Sequence, residues 1–96
     1  MPRICRNGDL GTTGHLCDTM IDVEATQGSV FANGIPIARR GDPTYFHRIT
    51  FFCFPHMAQV NGGSGTVFVK NVSVARIGDS YDAGAMIKGS GNVSAG

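Results

Sequence analysis

Residues 28–42 read GSVFANGIPIARRGD, and residues 65–79 read GTVFVKNVSVARIGD. The two stretches align with an offset of 37 residues, Ala38 falling on Ala75. Seven positions are identical: Gly28/Gly65, Val30/Val67, Phe31/Phe68, Ala38/Ala75, Arg39/Arg76, Gly41/Gly78 and Asp42/Asp79. A shorter third copy, ICRNGD at 4–9, puts Arg6, Gly8 and Asp9 in step with the other two. Repetition at such a period marks one supersecondary unit used several times. In a chain of 96 residues these units must share one small core.

Each full copy reads as a β-hairpin. Ser29–Ala32 and Ile35–Ala38 flank Asn33-Gly34, the strongest two-residue hairpin signal. Thr66–Val69 and Val72–Ala75 flank Lys70-Asn71, a poorer turn in the same place. Pro36 has no N–H to give to a ladder, so its strand belongs at an edge. Each unit ends in Gly-Asp, where the glycine permits a sharp turn and the aspartate is expected to accept from backbone amides two residues on. Three such corners, at 8–9, 41–42 and 78–79, predict a pseudo-threefold arrangement. The stretch Asn61-Gly62-Gly63-Ser64-Gly65 lacks the lysine of a phosphate loop and reads as a flexible connection. The tail from Lys88 to Asn92 reads as a final turn or a loose end.

Composition agrees with a mostly β chain. Fourteen glycines and the many valines, isoleucines and threonines disfavour helix, and no stretch keeps a 3.6-residue apolar period. The length fits one domain over residues 1–96, with repeat copies at about 2–9, 28–42 and 65–79. A formal charge of +1 with scattered basic residues gives no electrostatic footprint for nucleic acid. The longest apolar run, Phe51-Phe52-Cys53-Phe54-Pro55, falls far short of the ~20 residues that cross a bilayer. Phe46, Phe51, Phe52 and Phe54 crowd around His47 and Cys53 and read as core packing. Met1-Pro2-Arg3 does not begin like a signal peptide, so synthesis in the cytoplasm without a leader is expected. The 17 residues after Asp79 are too few for an appended catalytic domain, and none is expected.

The histidines follow the Gly-Asp corners. His15 lies six residues after Asp9, His47 five after Asp42, and His56 nine further on. Corners that converge on one axis bring these imidazoles together, and three imidazoles with one thiolate make a closed tetrahedral zinc site. Cys53 is the first choice for the fourth ligand, because its spacing from His56 is typical of paired zinc ligands. Cys17 is the runner-up, two residues from His15, where strand alternation puts both on one face. Asp82 offers an oxygen instead. Cys5 occupies the small alanine position of its repeat and reads as buried. An odd count of three cysteines argues against a disulfide framework.

PIARRGD (36–42) and VARIGDS (74–80), together with ICRNGD and the KGSGNV of the tail, resemble the PAAR motif, named for Pro-Ala-Ala-Arg and usually followed by a hydrophobic residue, Gly and Asp. The resemblance runs from residue 2 to about residue 95. Ile37 stands where the motif has its first alanine, and Ser73 where it has proline. The resemblance implies a small conical domain of short hairpins with a zinc-stapled apex. It implies a cap on the trimeric β-helical spike, a central spike or VgrG-like protein, of a contractile phage tail or type VI secretion system. One cap would serve each trimer, and it would touch a target membrane transiently. The protein would reside at a virion tail tip or leave the cell through a contractile injection system. The resemblance further implies one structural zinc ion with His15, His47 and His56 as ligands. Members of the family often carry a cysteine after the last corner, whereas here that region reads Ser80-Tyr81-Asp82-Ala83-Gly84.

The reading this favours is a non-enzymatic cap. One alternative is a small zinc hydrolase, since three histidines and a bound water can support hydrolysis. Asp18, Asp22 and Glu24 are the acids following His15, and nothing in the sequence places them at the metal. The other alternative is an adaptor that recruits effectors to the spike.

Overall fold

The computed structural model describes residues 1–45 and 55–96 in full, with the backbone of 47–49 and 54. Among the described residues the regular structure is entirely short strands: β1 (Leu10–Thr12), β2 (Met20–Asp22), β3 (Phe31–Ala32), β4 (Ile35–Pro36), β5 (His47–Ile49), β6 (Phe54–His56), β7 (Phe68–Val69), β8 (Val72–Ser73), β9 (Ser80–Tyr81) and β10 (Gly84–Ala85). Consecutive strands pair antiparallel in five two-stranded ladders, so every strand is an edge and Pro36 is accommodated. The expected hairpins are present, with ladders shorter than the apolar runs. Both Asn33 and Gly34, and both Lys70 and Asn71, have positive φ, the backbone that a two-residue hairpin turn demands.

A sixth hairpin is built from the two ends of the chain. Ile4 N donates to Val93 O at 2.8 Å, Ala95 N donates to Pro2 O at 3.0 Å, and Arg3 bridges Ser94. Ile37 N to Val30 O at 3.0 Å and Val74 N to Val67 O at 3.1 Å are the matching bonds of the other two copies. The first repeat is therefore complete, with its leading strand supplied by the tail. The entries to these three hairpins match as well. Gln27 Oε1, Ser64 Oγ and Ser90 Oγ each accept two backbone amides, from Ser29 and Val30, Thr66 and Val67, and Asn92 and Val93. Ser64 and Ser90 are each 1 % exposed. The glycine-rich stretch and the tail are thus pinned parts of the fold, contrary to a flexible connection or loose end.

The three repeats close a ring. Cys5 N donates to Ala75 O, Ala75 N to Ala38 O and Ala38 N to Cys5 O, all between 2.9 and 3.0 Å. The pseudo-threefold axis passes through this ring, and all three residues are 0 % exposed. Only small side chains fit where three backbones meet, which explains the Cys-Ala-Ala set. The glycine corners take φ of 84°, 90° and 93° at Gly8, Gly41 and Gly78, a region that L side chains avoid. The aspartates reach backwards rather than forwards. Asp9, Asp42 and Asp79 each accept from the amide three residues earlier, on Arg6, Arg39 and Arg76, at 2.7 Å. The corner folds back on itself, because each aspartate amide also donates to that arginine's carbonyl.

Two small cores surround the same axis. One gathers Ile4, Ile37 and Val74 with Ala95, Ala32 and Val69, the inner faces of the repeat hairpins. The other gathers Cys5, Ala38 and Ala75 with Val23, Val60 and Met86, and is filled by Tyr81. Position two past each corner is Gly11, Thr44 or Tyr81, and the Tyr81 ring fills the space left at Gly11. A Cβ on Gly11 would overlap Tyr81 Cδ2, and Tyr81 OH donates to Ile21 O at 3.1 Å. Beyond this second core lies the other set of hairpins, β1–β2, β5–β6 and β9–β10. The molecule measures 38 × 23 × 21 Å.

Candidate metal centre

Each hairpin of the second set contributes one side chain to a common cluster: His15 from the β1–β2 loop, His56 from β6, and Asp82 from the β9–β10 turn. Their ligand atoms all lie within 4.8 Å of one another. Local structure fixes each one. Ala83 N donates to Thr13 O at 2.9 Å, and Thr12 Oγ1 exchanges hydrogen bonds with Ala85, which staples the stem of the His15 loop to the turn bearing Asp82. Asp82 N donates to Gln59 O at 3.1 Å, and Asn61 Nδ2 donates to Asp82 O at 3.2 Å, tying the same turn to the segment after His56. Asp82 sits at φ 54°, a left-handed conformation that aspartate tolerates better than most residues.

The geometry of the cluster can hold a cation. His15 Nδ1 lies 3.0 Å from Leu16 O. A carbonyl only accepts, so Nδ1 carries the hydrogen and donates. The Nε2 side of the ring then faces Asp82 Oδ2 at 2.9 Å. His56 Nε2 lies 3.2 Å from the same oxygen and 3.4 Å from Oδ1. The two rings meet edge to face, with centroids 5.1 Å apart. His15 Nε2 thus meets a carboxylate oxygen, an approach that a ring proton or a bound metal ion would each satisfy. A histidine whose other nitrogen donates to a backbone carbonyl is the usual form of a metal ligand. Zinc bonds of ~2.0–2.2 Å in a tetrahedron set ligand atoms about 3.3 Å apart, and the observed separations suit that shell. The side chains of Asp82, His15 and His56 are 8 %, 11 % and 24 % exposed, so a bound ion would be shielded yet reachable.

Of the residues expected from the sequence, His15 and His56 are brought together. His47 is the Cα partner of His56 in the β5–β6 register. Its side chain lies outside the described residues, as do Cys53 and the phenylalanines at 46, 51, 52 and 54. Cys17 has its sulfur in a disulfide, at φ 75°, and so offers no thiolate. Cys5 is a free thiol in the axial core, donating to Lys88 O at 3.2 Å. Burial, reinforced by the Asp9 and Asp79 charges, pushes it up to about 12. Asp82 moves from an alternative to a member of the cluster. The signal that pointed to it is its place three residues beyond the last Gly-Asp corner, where the chain turns back over the axis.

The arginines of the repeat serve the corners. Arg6 and Arg76 lay their guanidinium forks on Asp9 and Asp79. Arg39 departs from this pattern. Thr26 Oγ1 donates to Asp42 Oδ1, Arg39 instead reaches Thr26 and Val69 O, and its buried Nε has no partner among the described residues.

A family model described as PAAR motif matches residues 13–89. A comparison with curated proteins gives no match.

Proposed function

This chain belongs to the PAAR-motif family, and we propose that it is a structural cap on the end of a trimeric β-helical spike of a contractile injection machine. The observation that carries this reading is the closed ring of Cys5, Ala38 and Ala75, which gives a monomer threefold symmetry to lay on a trimer. The repeat hairpins form the docking end. Half-exposed Phe31 and Phe68, with Val30 and Val67 beside them, supply apolar surface there. Docking would also cover the spike's terminal strand edges, which otherwise invite unwanted pairing. One cap serves one trimer, in a phage tail or a type VI secretion system.

The opposite end carries the metal centre, held by His15, His56 and Asp82, with His47, the Cα partner of His56, as the candidate fourth ligand. Zinc suits such a set of imidazole and carboxylate donors. Its role is to tie together the outer ends of three hairpins, beyond the axial core, and such binding energy counts directly as folding energy. The role is mechanical rather than catalytic, for a tip pushed through a target envelope.

Two measurements test the reading. Mixing the protein with a purified trimeric spike should give a complex of one cap per trimer by light scattering. Binding at three per trimer, or none, would overturn the cap. Removing the metal with a strong chelator, or the change His56→Ala, should lower the melting temperature by roughly 10 °C or more, since a structural ion contributes several kcal/mol. Unchanged melting with full metal content in that variant would remove His56 from the site.

A further inference from the structure

We infer that the metal centre is thiolate-free, its third protein ligand being the Asp82 carboxylate, so that ion binding does not compete with the disulfide at Cys17. This rests on reading the cluster as a metal centre.

Three observations carry it. Asp82 faces both imidazoles at ligand-shell separations, 2.9 Å from His15 Nε2 and 3.2 Å from His56 Nε2, and it is the least exposed of the three side chains. Among the described residues, neither cysteine has a thiolate to give. Cys17 is disulfide-bonded, and Cys5 lies in the axial core with its thiol donating to a carbonyl. Finally, Cys17 and His15 share the loop between β1 and β2. A site built on that sulfur would lose its ligand whenever the disulfide formed. A site built on Asp82 keeps its ligands in either redox state. The consequence is an apex that stays tied in reducing and oxidising surroundings alike. Nitrogen and oxygen donors also widen the choice of ion beyond those that thiolate selects.

Cobalt(II) is the probe, because a thiolate ligand gives it an intense near-ultraviolet charge-transfer band that nitrogen and oxygen ligands do not. Metal-free protein, oxidised or reduced, is titrated with cobalt(II), and thiols are counted in denaturant to fix the redox state. Expected is about one cobalt per chain in both states, visible ligand-field bands and no thiolate band. Asp82→Asn keeps the shape and the left-handed backbone but loses the charge. It should weaken cobalt binding by at least ~10-fold while the far-ultraviolet circular dichroism stays unchanged. Asp82→Cys should create the missing band, a positive control for the assay. A thiolate band in the unaltered protein would place Cys17 or Cys53 in the shell and overturn the inference while leaving the metal centre standing. Uptake by the reduced protein alone, or full affinity in Asp82→Asn, would do the same. No cobalt in either redox state would overturn both this inference and the metal reading beneath it.

Discussion

At position 5 a cysteine takes the place that alanine holds at 38 and 75. The exchange is tolerated because its thiol leaves the axis and donates to Lys88 O. Leucine has no such exit, and Cys5→Leu should cost about 1–3 kcal/mol, the ordinary penalty for overpacking. The buried thiol also predicts a pH response. Its pKa rises from the ordinary 9.0 to about 12, through burial first and the Asp9 and Asp79 charges next. The folded state therefore holds that proton more tightly than the unfolded chain. This stabilisation is complete below about pH 9 and is lost as pH climbs towards about 12. Burial and the Asp22 and Asp82 charges push Tyr81 the same way, so its contribution also fades in alkali. Metal-free protein should melt at a steady temperature up to about pH 9, then progressively lower. Cys5→Ala and Tyr81→Phe should each flatten part of that slope. Iodoacetamide at pH 8 should leave Cys5 unmodified until denaturant is added, and rapid labelling of folded protein would contradict the axial placement.

At the scale of the hairpin, the sequence was most readable where one local signal decides the structure. Asn33-Gly34 fixes a turn by backbone preference alone, and the offset of Ala38 and Ala75 carries that reading to Lys70-Asn71. The third hairpin was not readable, because its strands lie at opposite ends of the chain and no local pattern joins Val93–Ala95 to Pro2–Ile4. The corner aspartates were readable as turn residues but not in direction, since that depends on how the glycine folds the chain back. In the His–Asp cluster, residue type pointed to His15 and His56, while the side chain of His47 lies outside the described residues. Asp82 needed the structure, because only hairpin packing brings the β9–β10 turn over His15. The Cys17 disulfide went against the odd cysteine count, which is a guide for frameworks and says little about a single bridge. A stability prediction belongs here too. Lys70 and Asn71 hold φ of 51° and 65° without a glycine between them. Giving this turn the Asn-Gly pair of its sister, by Lys70→Asn with Asn71→Gly, should stabilise the protein by about 0.5–1 kcal/mol. Thermal melting would register a rise of a few degrees, and a fall would mean that Lys70 makes contacts that outweigh the turn.

Across the whole molecule the symmetry is close in the backbone and broken in the side chains. Val30 and Phe31 in one sector correspond to Val67 and Phe68 in the next, and to Val93 and Ser94 in the third. The two phenylalanines are 51 % and 54 % exposed, while the third sector offers a hydroxyl. A homotrimer presents three identical subsites, so every rotation of the cap by a third of a turn gives the same complex. On the proposed spike each phenylalanine would then meet the same surroundings, and the binding energy would rest on two sectors of three. Phe31→Ala and Phe68→Ala should weaken spike binding by similar factors, roughly 5–30-fold each, as expected for ~1–2 kcal/mol of newly buried aromatic surface. The double variant should lose about the product of the two factors, and Ser94→Ala should change little. Neither phenylalanine supports the cores, so melting temperature and metal content should stay as they were. Calorimetric titration of the four variants into the spike trimer measures all of this. Loss confined to one phenylalanine would mean that the cap approaches its partner off the pseudo-threefold axis. Binding unaffected by the double variant would move the docking face away from the repeat hairpins.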